Sequence, residues 1–320
     1  MNQRMVLQKI QKHKTFLIST HVNPDPDALA SELALALYLK HAGKKAHIIN
    51  EGSLPPRYAF LPLSANIKDI KGVKGADFEV ALILDCGDLD RIGKVRSLIS
   101  QEKIVINIDH HLTNDYFGDL NLVNAEASST AEVLYDLFRT ARVKLTNDMA
   151  KLLYLGIMTD TGCFRYDSTS AHSHIAAADL MRHGFSVSEL YRRVYEGVLL
   201  KDFRQFAKMF EDFETAFNGK AAVVMLSKNK LEKFSDEFDL KDKIFTYLRC
   251  IKGVEVIVIF SELGSRETRV NFRSQGNRVN VAVLAALFGG GGHRKASGCV
   301  VDGDLAQAKA KVLRKLREIL

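Results

Sequence analysis

The stretch Lys103-Ile104-Val105-Ile106-Asn107-Ile108-Asp109-His110-His111 is a near-continuous apolar run that ends on an acid and two imidazoles. Apolar residues in succession, rather than in alternation, mark a strand buried on both faces, which is the pattern of a parallel sheet. Two further runs behave alike: Glu79 to Leu84 leads into Asp85, and Thr15 to Thr20 leads into His21. Helical spacing from Ala28 to Ala42 stops at Gly43, Ala46 to Asn50 reads as another strand, and Gly93 to Gln101 reads as a crossover helix. Strands alternating with helices predict an open α/β sheet. Such sheets bind ligands beyond the carboxyl ends of their strands, so His21, Asp85 and Asp109 are expected along one edge.

The same edge collects His21-Val22-Asn23-Pro24-Asp25-Pro26-Asp27. Asp25 or Asp27 alone reads equally well as a helix N-cap, and Asp85 alone as a strand-ending turn. Asp160, just past a helical pattern from Asn147 to Met158, carries almost no information by itself. Taken together, His21, Asp25, Asp27, Asp85, Asp109, His110 and Asp160 supply enough oxygen and imidazole donors for two divalent cations. Two metals about 3.5–4 Å apart are a common device for cleaving phosphoryl bonds.

With 320 residues the chain is long enough for two domains, and its formal charge of +7 suits an anionic partner. The four cysteines, Cys86, Cys163, Cys250 and Cys299, form no C-x-x-C pair, which argues against structural zinc and a disulfide framework. Neither a signal-like N-terminus nor an apolar run of membrane length occurs, so a soluble cytoplasmic protein is expected. Ser129 to Ala141 reads as a helix with capping-box spacing at Ser129 and Glu132. A charged helical stretch follows, including Leu200 to Ala216. Strands at Lys220 to Leu226, Val254 to Phe260 and Thr268 to Phe272 and a closing helix from Asp304 to Leu320 then form a new β-rich unit. The expected division is 1–190, a helical connection over 191–217, and 218–320.

Gly289-Gly290-Gly291-Gly292-His293-Arg294-Lys295-Ala296-Ser297-Gly298 stands out. It reads either as a flexible linker or as exposed backbone N–H groups, supplemented by side-chain donors, that grip an anion. Arg266, Arg269, Arg273 and Arg278 read either as a solvated face or, at Arg273-Ser274, as part of that grip. Cys163-Phe164-Arg165-Tyr166 offers a cation and aromatics near Asp160, or merely core packing.

These motifs together resemble the DHH phosphoesterase family, whose signature triplet stands here as Asp109-His110-His111. His21 with Asp25 and Asp27 resembles the family's first motif, Asp85 the second and Asp160 the fourth, and Gly289 to Gly298 resembles the signature of the DHH-associated domain. The resemblance spans nearly the whole chain. It implies an α/β fold with an N-terminal parallel-sheet DHH domain and a smaller C-terminal α/β DHH-associated domain. The two-domain layout is most similar to the branch that hydrolyses short oligoribonucleotides to mononucleotides and dephosphorylates 3′-phosphoadenosine 5′-phosphate (pAp). Turnover of cyclic or linear dinucleotides, inorganic pyrophosphatase activity and non-catalytic nucleotide sensing are the rival readings.

By the same resemblance, His21, Asp25 and Asp85 hold one manganese ion and Asp27, Asp85, His110 and Asp160 the other, with magnesium or cobalt as substitutes. Asp85 bridges the two, Asp109 orients a ligand, and His111 stands near the scissile phosphate. Asp85, Asp109, His110 and His111 form the catalytic set. Arg165, Arg273, Ser274, Gly291, Gly292, His293 and Ser297 bind substrate, and a homodimer is implied.

Overall fold

A computed structural model describes residues 2–320 except Asp212, Asp236, Glu237 and Asn277, and leaves out the side chains of Asn2 and His293. The chain divides into two compact units, Met1–Glu196 and Gly197–Leu320.

In the first unit the strands are β1 (Thr15–Ser19), β2 (Lys45–Asn50), β3 (Ile67–Asp69), β4 (Val80–Leu84), β5 (Ile104–Asp109) and β6 (Leu120–Val123). They form one sheet in the order β3-β2-β1-β4-β5-β6, with every pairing parallel. All five residues of β4 are buried, as its unbroken apolar sequence requires. Period-two alternation sends Phe16, Ile18, Leu82 and Ile106 to one face and Leu17, Ala81, Ile83 and Val105 to the other. From β1 the chain builds outward to β3, then returns to β4 beside β1 and builds the opposite way. The carboxyl ends of β1 and β4 therefore flank the topological switch point, where open α/β sheets form their ligand crevice.

Among the described residues this unit has helices α1 (Asn2–Lys12), α2 (Pro26–His41), α3 (Thr130–Thr140), α4 (Asn147–Asp160), α5 (Ala171–Met181) and α6 (Val187–Tyr195). Asp25 caps α2, accepting from the Ala28 N–H at 3.0 Å, and Pro26 opens it. Gly43, with φ +70°, supplies the left-handed residue that stops it. Between these ends α2 is buried on nearly every side, matching a sequence that is apolar all round. The expected crossover helix over Gly93 to Gln101 is not an α-helix. Leu89–Leu98 winds as 3₁₀ turns broken at Gly93, whose φ of +60° no right-handed helix tolerates.

The second unit has strands β7 (Glu214–Ala216), β8 (Ala221–Leu226), β9 (Val256–Gly264), β10 (Glu267–Ser274), β11 (Gly291–His293) and β12 (Ala296–Asp302). Their order is β11-β12-β10-β9-β8-β7, and only β8 and β9 pair in parallel. The helices are α7 (Leu200–Met209), α8 (Lys228–Leu231), α9 (Leu240–Leu248), α10 (Val281–Ala286) and α11 (Leu305–Arg317). Phe206 of α7 and Ile244 and Leu248 of α9 pack on one sheet face, while Leu284 of α10 and Val312 of α11 pack on the other. The helix expected over Leu200 to Ala216 is shorter. It ends at Met209, and Glu214–Ala216 instead pairs antiparallel with β8. Among the described residues no helix is long and apolar enough to cross a membrane, and all four cysteines are free.

Candidate metal centre

Asp85 follows β4 with φ +53°, a left-handed conformation uncommon for a residue with a side chain, and its N–H donates to Ile108 O at 3.0 Å. That turn leaves the carboxylate 1% exposed among imidazoles. Oδ2 lies 3.6 Å from His21 Nε2, and Oδ1 lies 3.5 Å from His110 Nε2 and 3.8 Å from His111 Nδ1. Asp25 Oδ2 is 3.9 Å from His21 Nε2, so one carboxylate both caps α2 and faces the cluster. On the other side, Asp160, the last residue of α4, stands 3.3 Å from His110 Nε2.

Three sets of ligand atoms converge to within 4.8 Å: His21, Asp25 and Asp85; Asp27, His110 and Asp160; and Asp85, His110 and His111. Asp85 and His110 each take part in two of them. A mixed set of carboxylates and imidazoles on this scale fits hard or borderline divalent cations.

The start of α3 supports the cluster from behind. Thr130 N–H donates to Asp27 Oδ2 at 2.7 Å, Ala131 N–H to Asp27 Oδ1 at 3.1 Å, and Thr130 Oγ1 to Asp85 Oδ1 at 2.9 Å. Unpaired N–H groups at a helix N-terminus suit a buried anion. Gly156 of α4 makes room for it, since a Cβ there would overlap Asp27 Oδ1 and the Ala131 methyl. At the end of β5, Asp109 accepts from His111 Nδ1 at 2.7 Å and from Asn114 Nδ2 at 2.6 Å. Asn114 is itself 8% exposed and also donates to Asn107 Oδ1 at 2.7 Å. Farther back, the buried Asn50 Nδ2 donates to both oxygens of Glu32 at 3.0 Å, while Asn50 Oδ1 accepts from Thr20 N–H just before His21.

The electrostatics are those of crowded acids, with Asp27 and Asp85 buried and Asp25 at the exposed edge of the cluster. Burial, then repulsion from Asp85, raises Asp25 and raises Asp27 well above the usual carboxylate range, and burial with Asp25 and Asp85 does the same to Asp160. Burial alone would raise Asp85, but its interactions with His21, His110 and His111 outweigh that and hold it below the usual range. Burial would lower His111, yet Asp109 and Asp85 raise it. Bound cations would relieve the repulsion among the acids. Glu32 is raised to about 8 by burial, against the hydrogen bond from Asn50.

Arg165, also in the first unit, is exposed, with Nε donating to Gly162 O at 2.7 Å. In the second unit Arg273 lies on β10 with its guanidinium 4.8 Å from the Phe245 ring centre. The four-glycine segment is half turn and half strand. Gly291–His293 folds back on Ala296–Gly298 as a hairpin at the edge of the sheet, so among the described residues one side of its backbone has no strand partner. The Ser297 hydroxyl, read from sequence as a phosphate donor, donates instead to Val281 O at 2.6 Å, and Ser274 Oγ donates to Arg294 O at 3.3 Å. Both serines are nearly buried, so in this unit their hydroxyls brace the hairpin. Gly291 and Gly292 are exposed, and the side chain of His293 lies outside the described residues.

Thr130, Gly156 and the Glu32–Asn50 pair escape a sequence reading because each acts through a partner distant in the chain, and Asn114 because a lone Asn a few residues past the triplet reads as an ordinary turn residue. The half-box at Ser129 is the one signal near Thr130; Glu132 N–H donates to Ser129 Oγ at 3.0 Å.

Residues 15–157 match the model of the DHH family's N-terminal domain, and residues 218–320 match the DHHA1 domain. The chain is also 32% identical, over 92% of its length and 92% of theirs, to two bacterial proteins. These are the bifunctional oligoribonuclease and PAP phosphatase NrnA of Bacillus subtilis and the probable one of Streptococcus mutans. The chain belongs to the DHH family. The fold of this DHH protein is also found in a crystal structure of an exopolyphosphatase-related protein from Bacteroides fragilis, with a TM-score of 0.89 at 25% identity over 98% of this chain and 94% of the other.

Proposed function

We propose that this DHH protein is a two-metal phosphoesterase that hydrolyses short oligoribonucleotides to mononucleotides and removes phosphate from pAp. The observation that carries the reading is Asp85, whose two oxygens face His21 on one side and His110 on the other. One ion would be held by His21, Asp25 and Asp85, and a second by Asp27, Asp85, His110 and Asp160. The mixed oxygen and imidazole donors suit manganese, with magnesium or cobalt as substitutes. Bound there, the ions would supply Lewis-acid stabilisation of the charge that develops on the phosphoryl oxygens.

The chain's own residues do the rest. Thr130 and Ala131 hold Asp27, and Thr130 holds Asp85, so the carboxylates are oriented before substrate arrives. Asn114 and Asp109 fix the His111 ring, and the raised basicity of that imidazole suits it to give a proton to the leaving oxygen as the P–O bond breaks. Arg165 in the first unit and, separately, Arg273 and the Gly291-Gly292-His293 edge in the second are the proposed substrate-binding groups, with Ser274 and Ser297 bracing that edge. The names of the 32% identical relatives support the substrate pair. A functional division at 1–190, 191–217 and 218–320, a cytoplasmic setting and a homodimer complete the reading.

The test is a length series of 5′-labelled oligoribonucleotides, pAp and cyclic di-AMP incubated with manganese, alongside Asp85→Ala. Mononucleotides from RNA of two to five residues and phosphate from pAp, both lost in Asp85→Ala, are expected. Turnover of cyclic di-AMP alone would replace this substrate assignment, and no turnover with any metal would overturn it.

A further inference from the structure

A cavity of about 760 Å³ opens on the first unit, outside the metal cluster, between the Ile70–Gly72 turn and the 3₁₀ segment Leu89–Leu98. Its size falls within the roughly 300–1,000 Å³ that takes a small ligand. The wall is cationic: Lys71, Lys74, Lys94 and Arg96 line it, and all four are exposed. The floor is apolar, built from Ile70, Val73 and Leu98. Asp90 pairs with Arg96; among the described residues no ion pair engages Lys71, Lys74 or Lys94, although the charges of Lys71 and Lys94 are felt at Asp69. Cations beside an apolar surface match a nucleotide's phosphate and its base or ribose, and a positively charged groove that tracks the backbone is how single-stranded nucleic acid is held without sequence preference.

Continuity with the metal cluster picks out the occupant. Leu89–Leu98 runs from one to the other: Arg91 O accepts the Val22 N–H at 2.8 Å, directly after His21. Arg91 is also close enough to His111 for its charge to be felt there. Gly93, a wall of the cavity, packs so tightly on Val22 and the Glu51 carboxylate that a methyl group would overlap both. The groove's Gly93 therefore packs against Val22, one residue from His21, and Lys94, Lys71 and Lys74 line the same groove.

We infer that this groove binds the backbone of the oligoribonucleotide beyond the nucleotide being cut, through Lys71, Lys74 and Lys94. The inference rests on the proposed ribonuclease reading. It has a consequence that the metal cluster alone does not: RNA reaches the groove, whereas pAp, with no further nucleotide, does not. Groove and cluster thus set the preference between the two substrates independently.

The experiment is steady-state kinetics of the full-length protein and Lys71→Glu/Lys74→Glu on a five-residue RNA, a two-residue RNA and pAp, with manganese, at several salt concentrations. The expected result is a KM for the five-residue RNA raised about tenfold, with kcat and both pAp constants unchanged. The salt dependence of that KM should weaken by about one in log–log slope for each phosphate the lysines no longer neutralise. The two-residue RNA should respond less than the five-residue one. Unaltered pAp hydrolysis also certifies that the variant is folded. An unchanged KM for the longer RNA, with wild-type activity intact, would overturn the groove and leave the proposed function standing. An equal loss on pAp would overturn it too, by placing the lysines in the shared site. Failure of the unmodified protein to cleave either substrate would instead sink the functional reading.

Discussion

The two units solve the same architectural problem, six strands covered on both faces, with opposite consequences for chemistry. In the first, every strand points the same way, so every carboxyl end opens on one edge, and His21, Asp85 and Asp109 arrive there from β1, β4 and β5. In the second, all neighbours but β8 and β9 are antiparallel, so strand ends alternate and no single edge gathers side chains. Its polar side chains are used differently: Arg269 and Arg273 lie exposed on β10, and Ser274 and Ser297 bond to backbone. Parallel topology concentrates buried charge and needs outside compensation for it; antiparallel topology spreads charge over a face and needs none.

If that contrast is right, the first unit should respond sharply to small changes behind the cluster. Gly156→Ala places a methyl group against Asp27 and Ala131. It should lower thermal stability by about 1–3 kcal/mol, as overpacking does, and cut kcat by roughly 100-fold through displaced Asp27. Wild-type activity with a lower melting temperature would detach the α4 packing from the site. Asn114→Ala removes the Asp109 donor at 2.6 Å. A loss of about 10–100-fold in activity or metal affinity is expected for such a supporting residue, with Asn114→Asp failing to rescue it because it brings a second acid to Asp109. Full activity in Asn114→Ala would break the chain from Asn114 to His111.

Glu32 tests the charge argument away from the proposed ligands. Its pKa in the folded chain is raised from 4.5 to about 8, so the folded state holds its proton more tightly than the unfolded one. Stability from this group is therefore complete below about pH 4.5 and declines as pH rises toward about 8. Glu32→Gln should flatten that decline by on the order of 5 kcal/mol, measured as denaturant midpoints across the interval. Parallel profiles for the two proteins would show that Glu32 is not charged on this scale.

In the second unit, neighbouring glycines should behave differently. Gly292 has φ +136° and its missing Cβ would meet Ser297, whereas Gly291 has open space and no left-handed backbone. Gly292→Ala should destabilise by about 1–3 kcal/mol, and Gly291→Ala by less than about 0.5 kcal/mol while raising KM. A matching stability loss at both positions would mean the hairpin is purely structural.

The apolar runs ending at Thr20, Leu84 and Ile108 pointed to a parallel sheet and to the edge where His21, Asp85 and Asp109 gather, because a strand buried on both faces is apolar at nearly every position. The motif residues at their ends are legible for the same reason: a charge abutting a buried strand is costly without a task. The hairpin is not legible, because glycine composition does not distinguish a free loop from a backbone packed against Ser297 and Cys299. Nor is the break at Gly93, whose left-handed backbone follows from packing on Val22 and Glu51. Only tertiary structure placed the N–H groups of Thr130 and Ala131 on Asp27, more than a hundred positions away in the chain. Local sequence carries periodicity and burial; which distant donor satisfies a buried acid is decided when separate helices close over it.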